Sequence, residues 1–199
     1  ALIAHGAIEA AQGVARRNVA ILAEAVRQGY TIVATEPSAA LALAHEYPVL
    51  LPDDEDVQLV ARATREACYY LWKCHQRGNL KLDFKPLPLA VGYHVPCHIK
   101  ALGIGIPAEN LLGLVPGLRI ETLEKGCSGM AGTFGLVKRN YRNSLRAGLP
   151  LINGLRNAPI DVGMTECCMC KMQMEHGMVT PTTHPIKLLA FAYGLMPEL

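Results

Sequence analysis

The sequence is poor in the features that mark a nucleic-acid or membrane-spanning protein. Charged residues are only 18% of the 199, and the 19 Lys and Arg nearly balance the 17 Asp and Glu without a block of either sign. Aromatic residues make up 6%, with a single Trp. With no basic stripe and no aromatics interleaved in it, the chain has little with which to neutralise phosphates or stack bases. Long apolar runs are also missing. The longest, such as LLAFAYGLM at 188–196, are too short to cross a bilayer. The opening ALIAHGAIEA has no basic n-region and no cleavage-site pattern, so no signal peptide is expected. Its helical look, with no initiator Met, is expected of a piece cut from a longer protein. A serine-hydrolase elbow and a phosphate-binding loop are both absent.

What the chain does have is apolar residues and cysteine. Mean hydropathy is +0.20, high for a soluble domain, which predicts apolar surface covered by a partner or a further domain. The seven cysteines are odd in number and unevenly spread, in a chain without the loop-rich look of a secreted disulfide scaffold. A reducing, cytoplasmic compartment is the expectation.

Helices and strands are predicted to alternate, which argues an α/β fold with mainly parallel sheets. Residues 7–28 space Ile8, Ala11, Val14, Val19, Leu22 and Val26 as one helix face, closed by Gly29. YTIVAT (30–35) reads as a short buried strand, and Pro37 as the first turn of the next helix. Residues 53–77 read as a single long helix opened by Asp53, Asp54, Glu55 and Asp56. NLKLDFKPLP (79–88) is an extended connector. LAVGYHVPC (89–97), LRIETLEKGCSG (118–129) and IDVGMTEC (160–167) are strands running into turns. Between the last two lies a helical stretch, 136–155, that Gly148 and Pro150 threaten to split, and 185–195 closes the chain as a helix.

One internal echo stands out. Residues 29–46 and 159–176 align without gaps, with Thr35–Glu36 on Thr165–Glu166, Pro37 on Cys167 and Ala40 on Cys170. This suggests two similar lobes, of which only the second carries the thiols.

Those thiols are the strongest signal. Cys97, Cys127, Cys167 and Cys170 each fall at the carboxyl end of a predicted strand or in the turn after it, the edge of a parallel sheet where ligands collect. The Cys167-x-x-Cys170 spacing lets one turn offer two thiolates to one centre. Four thiolates suit a tetrahedral zinc ion or an iron–sulfur cluster. Two blander readings stay open: buried small hydrophobes, or a redox dithiol. Cys68 and Cys74, mid-helix and six apart, read as core packing. Around the four, His94, His98, Ser128 and Cys168 are candidates to surround the sulfurs.

YHVPCH (93–98), GCSGMAGTFG (126–135) and TECCMCKMQ (165–173) together resemble the CCG, or cysteine-rich, domain family. That domain occurs in heterodisulfide reductase, in the iron–sulfur subunits of glycolate oxidase and anaerobic glycerol-3-phosphate dehydrogenase, and fused to FAD-linked oxidases. The resemblance implies two such domains in tandem: 1–78 as the latter part of the first, its cysteines lost, 79–88 as connector, and 89–199 as the second. It implies a [4Fe–4S] cluster on Cys97, Cys127, Cys167 and Cys170, with zinc as the alternative occupant. Ser128 stands where the family pattern has the second Cys of Cys-Cys-Gly, a departure from the five-thiol set. It further implies FAD on another domain or subunit and oxidation of a 2-hydroxy acid or glycerol 3-phosphate there. Electrons would leave to a quinone or carrier protein, at the inner face of the membrane and held there through partners. The alternatives are a zinc-binding docking module and thiol–disulfide chemistry.

Overall fold

In the computed structural model, residues 2–195 are described, so the outer ends of the two expected lobes, residue 1 and residues 196–199, lie outside them. The chain divides into two units, Ala1–Tyr70 and Leu71–Leu199.

The first unit is built on helix α1, Ile8–Arg27. Ala11, Ala15, Val19 and Ala23 recur every four residues and form its buried face. The chain continues through strand β1 (Ile32–Ala34), helix α2 (Pro37–Leu41), a π turn (Ala42–Glu46), helix α3 (Tyr47–Leu50), helix α4 (Glu55–Ala63) and strand β2 (Thr64–Glu66). Ala15, Val19 and Ala23 meet Leu51, Val57 and Val60 in one core. Small alanines on α1 let α4 lie close. Asp54 caps α4, its Oδ1 accepting the N–H groups of Asp56 and Val57 at 3.0 and 3.2 Å.

Two expectations are corrected here. The single helix over 53–77 is two helices separated by β2, which pairs parallel with β1 from Ile32↔Thr64 to Ala34↔Glu66. Thr64 ends α4 by turning its hydroxyl onto the Val60 carbonyl at 2.8 Å. Glu66 then starts helix α5 (Ala67–Gln76), its carboxylate accepting the N–H groups of Cys68 and Tyr69 at 3.0 and 2.9 Å. Tertiary pairing with β1 outweighs the helical periodicity of 53–77. The second correction concerns β1, which is not buried: Val33 is 43% exposed.

The second unit carries a four-stranded, all-parallel sheet in the order β4–β3–β5–β6, formed by β3 (Ala90–Tyr93), β4 (Arg119–Thr122), β5 (Val162–Met164) and β6 (Thr182–Thr183). Every residue of β3 and β5 is buried, as expected of central strands covered on both faces. Helices α6 (Cys97–Leu102), α7 (Pro107–Leu112), α8 (Tyr141–Asn157), α9 (Cys168–Gly177) and α10 (Pro185–Ala192) flank it. Helix α8 runs on through Pro150 without splitting and buries Ser144, Gly148, Leu151, Ile152 and Leu155. Leu151 and Leu155 close a core with Leu123 and Met174. The extended segment 79–88 is stitched into this unit, with Phe84 and Leu87 buried and the Lys85 and Leu87 N–H groups bonded to the carbonyls of Ala192 and Pro116, each at 2.8 Å.

Each unit has a parallel strand pair preceded and followed by a helix, but α2, the π turn, α3 and α4 separate β1 from β2 in the first unit, whereas α9 alone separates β5 from β6 in the second.

Glu66 is 2% exposed, and burial pushes its pKa above the usual 4.5 against the pull of its backbone N–H partners. A raised carboxyl pKa gives a stability contribution that is full at pH below about 4.5 and is lost as pH rises through the raised value. Glu66→Gln, which cannot ionise, should flatten that part of the Tm-versus-pH curve. Glu66→Ala, which strands the N–H groups, should cost about 1 kcal/mol in denaturant unfolding.

Candidate metal centre at the strand tips

The register places the ends of all four strands of the second unit in one row. Tyr93 lies opposite both Thr122 and Met164, and Met164 opposite Thr183. The chain leaves β3 toward β4 on one side and later returns as β5 on the other. The gap between the β3 and β5 tips is therefore the topological switch point, where an open parallel sheet forms a crevice.

Three segments reach this edge, and two of them bring thiols together there. After β3, Pro96 precedes Cys97, the first residue of α6. After β5, Cys167 is the extended residue (φ −93°, ψ 121°) that caps α9, and Cys170 lies in that helix's first turn. After β4, the chain reaches the loop Cys127–Ser128–Gly129. The structure brings Cys97, Cys167 and Cys170 close enough for their charges to oppose one another, and Cys170 shares a hydrogen bond with Cys167. Cys167 and Cys170 are each 6% exposed, whereas Cys97, Cys127 and Cys168 are exposed.

Ser128 is 1% exposed, and its hydroxyl donates to the Cys170 sulfur at 3.2 Å. The position that departs from the resembled pattern thus touches one of the candidate sulfurs directly. Cys127, one residue away, accepts the Gly129 N–H on its sulfur at 3.2 Å. Among the described residues, no three or more His, Cys, Asp or Glu side chains are already gathered tightly enough to hold an ion. The donor set itself is sulfur with one hydroxyl, the chemistry that soft metals and iron–sulfur centres take.

The loop is held down by close backbone packing. Gly129 has φ +89°, and a Cβ there would stand 2.1 Å from the Ser144 carbonyl oxygen. A Cβ on Gly148 would stand 2.1 Å from the Ser128 carbonyl oxygen. Two glycines therefore let the loop lie on α8. The Ser144 hydroxyl donates to the Gly129 carbonyl at 2.9 Å and accepts from Gln173 on α9 at 3.3 Å. A buried polar chain so links α9, α8 and the loop that sets Ser128 over Cys170.

The thiols differ electrostatically. A hydrogen bond with His98, whose Nδ1 is 3.7 Å from the sulfur, lowers the Cys97 pKa against the opposing effects of burial and the Cys167 charge. Cys170 is pushed up by its hydrogen bond to Cys167, by burial and by the Cys167 charge, with Ser128 pulling the other way. His94 is 3% exposed, and burial, aided by the charge of Lys100, lowers its pKa to about 4, so it is neutral at pH 7. Of the two histidines flanking Cys97, His98 is the one on sulfur. Cys168 opens α9 at the surface. Cys68 is buried on α5 and Cys74 half-buried on the same helix. Nothing in the sequence singles out Ser144, Gln173 or Tyr93; their roles depend on which helices and strands lie side by side.

The chain is 36% identical over 197 residues to a subunit of the anaerobic glycerol-3-phosphate dehydrogenase of Escherichia coli K12, and equally so to the same subunit in E. coli O157:H7. Each alignment takes in 96% of this chain and 48% of the relative, so the chain spans about half the length of the curated relatives it matches. No protein-family model matches the sequence.

Gly148→Ala tests the loop packing. Helix propensity alone favours Ala by about 1 kcal/mol. The clash with the Ser128 carbonyl should reverse the sign, lowering Tm and exposing Cys170 to alkylation. A variant as stable as wild type, with Cys170 still protected, would refute the packing argument.

Proposed function

We propose that the chain is the thiol-ligated electron-transfer region of a flavin-linked dehydrogenase, a relative of the glycerol-3-phosphate dehydrogenase subunits it matches. The observation that carries this reading is the placement of Cys97 after β3 and of Cys167 and Cys170 after β5, on the two sides of the switch point, with the Ser128 hydroxyl on the Cys170 sulfur. Cys97, Cys127, Cys167 and Cys170 are the residues that would hold a [4Fe–4S] cluster, with zinc as the alternative occupant. When bound, such a cluster supplies one-electron chemistry between FAD, on another domain or subunit, and a quinone or carrier protein. The electron donor in this reading is glycerol 3-phosphate or a 2-hydroxy acid such as lactate or glycolate, oxidised outside this chain.

The chain's own residues have definable tasks. Ser128 holds a proton toward the Cys170 sulfur, and His98 shares one with Cys97. Cys127 stands on the exposed loop, the side open to a partner. In this reading 1–78 is the latter part of a first cysteine-rich lobe, 79–88 the connector and 89–199 the second lobe. The buried Pro37 and Ala40 of the first lobe occupy the places of Cys167 and Cys170. No described helix is long and apolar enough to cross a membrane. We place the protein in the cytoplasm, at the inner face of the membrane through its partners.

The test is anaerobic preparation of the full chain with iron and sulfide quantitation and EPR. The expected result is about four iron and four sulfide per chain, lost on Ala substitution of Cys97, Cys127, Cys167 or Cys170. A colourless chain that takes up one zinc and no iron supports the docking module instead. Alkylation that abolishes activity without releasing metal supports direct thiol chemistry. In the iron-loaded chain, Ser128→Ala should lower the midpoint potential, because a hydrogen bond to a ligand sulfur stabilises the more negative, reduced state.

A further inference from the structure

The backbone pairing of β3 with β5 stops short of the thiols. The last bond between these two segments runs from the His94 N–H to the Met164 carbonyl at 2.9 Å. Beyond it they part. The Thr165 N–H turns to the Thr183 carbonyl beside β6, at 3.2 Å, and Pro96 has no N–H to offer. A side-chain bond spans the widening gap: the Tyr93 hydroxyl donates to Glu166 Oε1 at 2.5 Å. Tyr93 is 0% and Glu166 1% exposed.

Taking a carboxyl group out of water is costly, and an apolar pair of similar volume would fill the same space without that cost. What the polar pair adds is geometry, since a hydrogen bond is satisfied only within a narrow range of separation and angle. Its two ends lie where such precision matters. Glu166 immediately precedes Cys167, and Tyr93 is the last residue of the strand that leads to Cys97.

We propose that Tyr93 and Glu166 form a buried clasp that sets the separation between the Cys97 and Cys167 thiols. They are positioning residues, acting through the segments that carry Cys97 and Cys167. The clasp ties the arm ahead of α9 to the central strand β3 at the point where the backbone ladder no longer does so. The effect on thiol spacing follows from the fold alone, while the effect on metal affinity rests on the function proposed above.

Two measurements on the full chain separate these. In a background with Cys127, Cys168 and Cys170 changed to Ala, dibromobimane, which fluoresces once it bridges two neighbouring thiols, reads the Cys97–Cys167 distance without metal; mass spectrometry identifies the bridged pair. With all cysteines present, titration with Co(II) alone reads affinity and geometry through the thiolate-to-cobalt absorption bands. Tyr93→Phe should cut the bridging yield several-fold and weaken Co(II) binding by about 10-fold, in the range for partners of metal ligands, with far-UV circular dichroism unchanged. Glu166→Gln keeps an acceptor for the Tyr93 hydroxyl and should retain most of both signals, whereas Glu166→Ala should lose them. The double variant Tyr93→Phe/Glu166→Ala should be no worse than either single one. Bridging that is unchanged in Tyr93→Phe, or that falls as far in Glu166→Gln as in Glu166→Ala, overturns the clasp. A wild-type chain that bridges but takes up no Co(II) counts against the metal reading and leaves the clasp standing on the bridging data. Should Tyr93→Phe fail to fold, the contrast between Glu166→Gln and Glu166→Ala decides the same question.

Discussion

The candidate site depends on one constraint, the register of β3 between β4 and β5. Because Tyr93 is opposite both Thr122 and Met164, three chain segments leave the sheet from the same row, and whatever follows each strand is delivered to the same edge. The thiols need not be close in sequence, only at similar distances beyond their strand ends. Backbone hydrogen bonding does this at no cost in side chains, since the ladder satisfies groups that would be expensive to bury unpaired. A slip of one residue would turn each tip's side chains to the opposite face and scatter the sulfurs.

From that row outward, finer control passes to close packing and to a few buried polar groups. Gly129 and Gly148 remove the atoms that would keep the Cys127–Gly129 loop off α8, and Ser144 and Gln173 bind what the glycines bring near. Ser128 is thereby placed with its hydroxyl on Cys170. The arrangement leaves Cys97 in a hydrogen bond with His98, which lowers its pKa, and Cys170 buried and hydrogen-bonded to Cys167, which raises its pKa against the pull of Ser128, so chemically identical side chains are shifted in opposite directions. Such graded surroundings are how a protein tunes an inorganic centre whose intrinsic chemistry is fixed.

The first unit uses the same strand–turn–helix device for a different end. Glu36, extended at φ −100°, ψ 120°, is the residue before α2, one position earlier in the aligned repeat than Cys167, the residue before α9, and Pro37 and Ala40 of α2 are buried. The first turn of α9 carries sulfur, and that of α2 carries apolar atoms. Glu66 likewise stands at a strand end with its carboxylate on the next helix's N–H groups, whereas His184 performs that task after β6 by accepting from Ile186 at 3.1 Å.

Much of this was legible in the residues themselves. The alternation of short β-branched runs with helical periodicity set the α/β class. The placement of Cys97, Cys127, Cys167 and Cys170 just after strands marked the edge to watch, because side-chain period and turn residues are local properties. Other features depended on neighbours remote in sequence. Thr64–Glu66 has helical surroundings and becomes a strand only because β1 offers a ladder to join. YTIVAT looks like a core strand, but Val33 is 43% exposed. Ser128 reads as a missing thiol until its hydroxyl is found on Cys170, and Tyr93 reads as an ordinary strand aromatic until Glu166 is found against it. The sequence alone determined which residues could hold a soft metal and at which ends of which elements they lie. The tertiary structure decided how near they come and which groups hold them there, because distance between remote segments is set by strand order and packing, which no local pattern encodes.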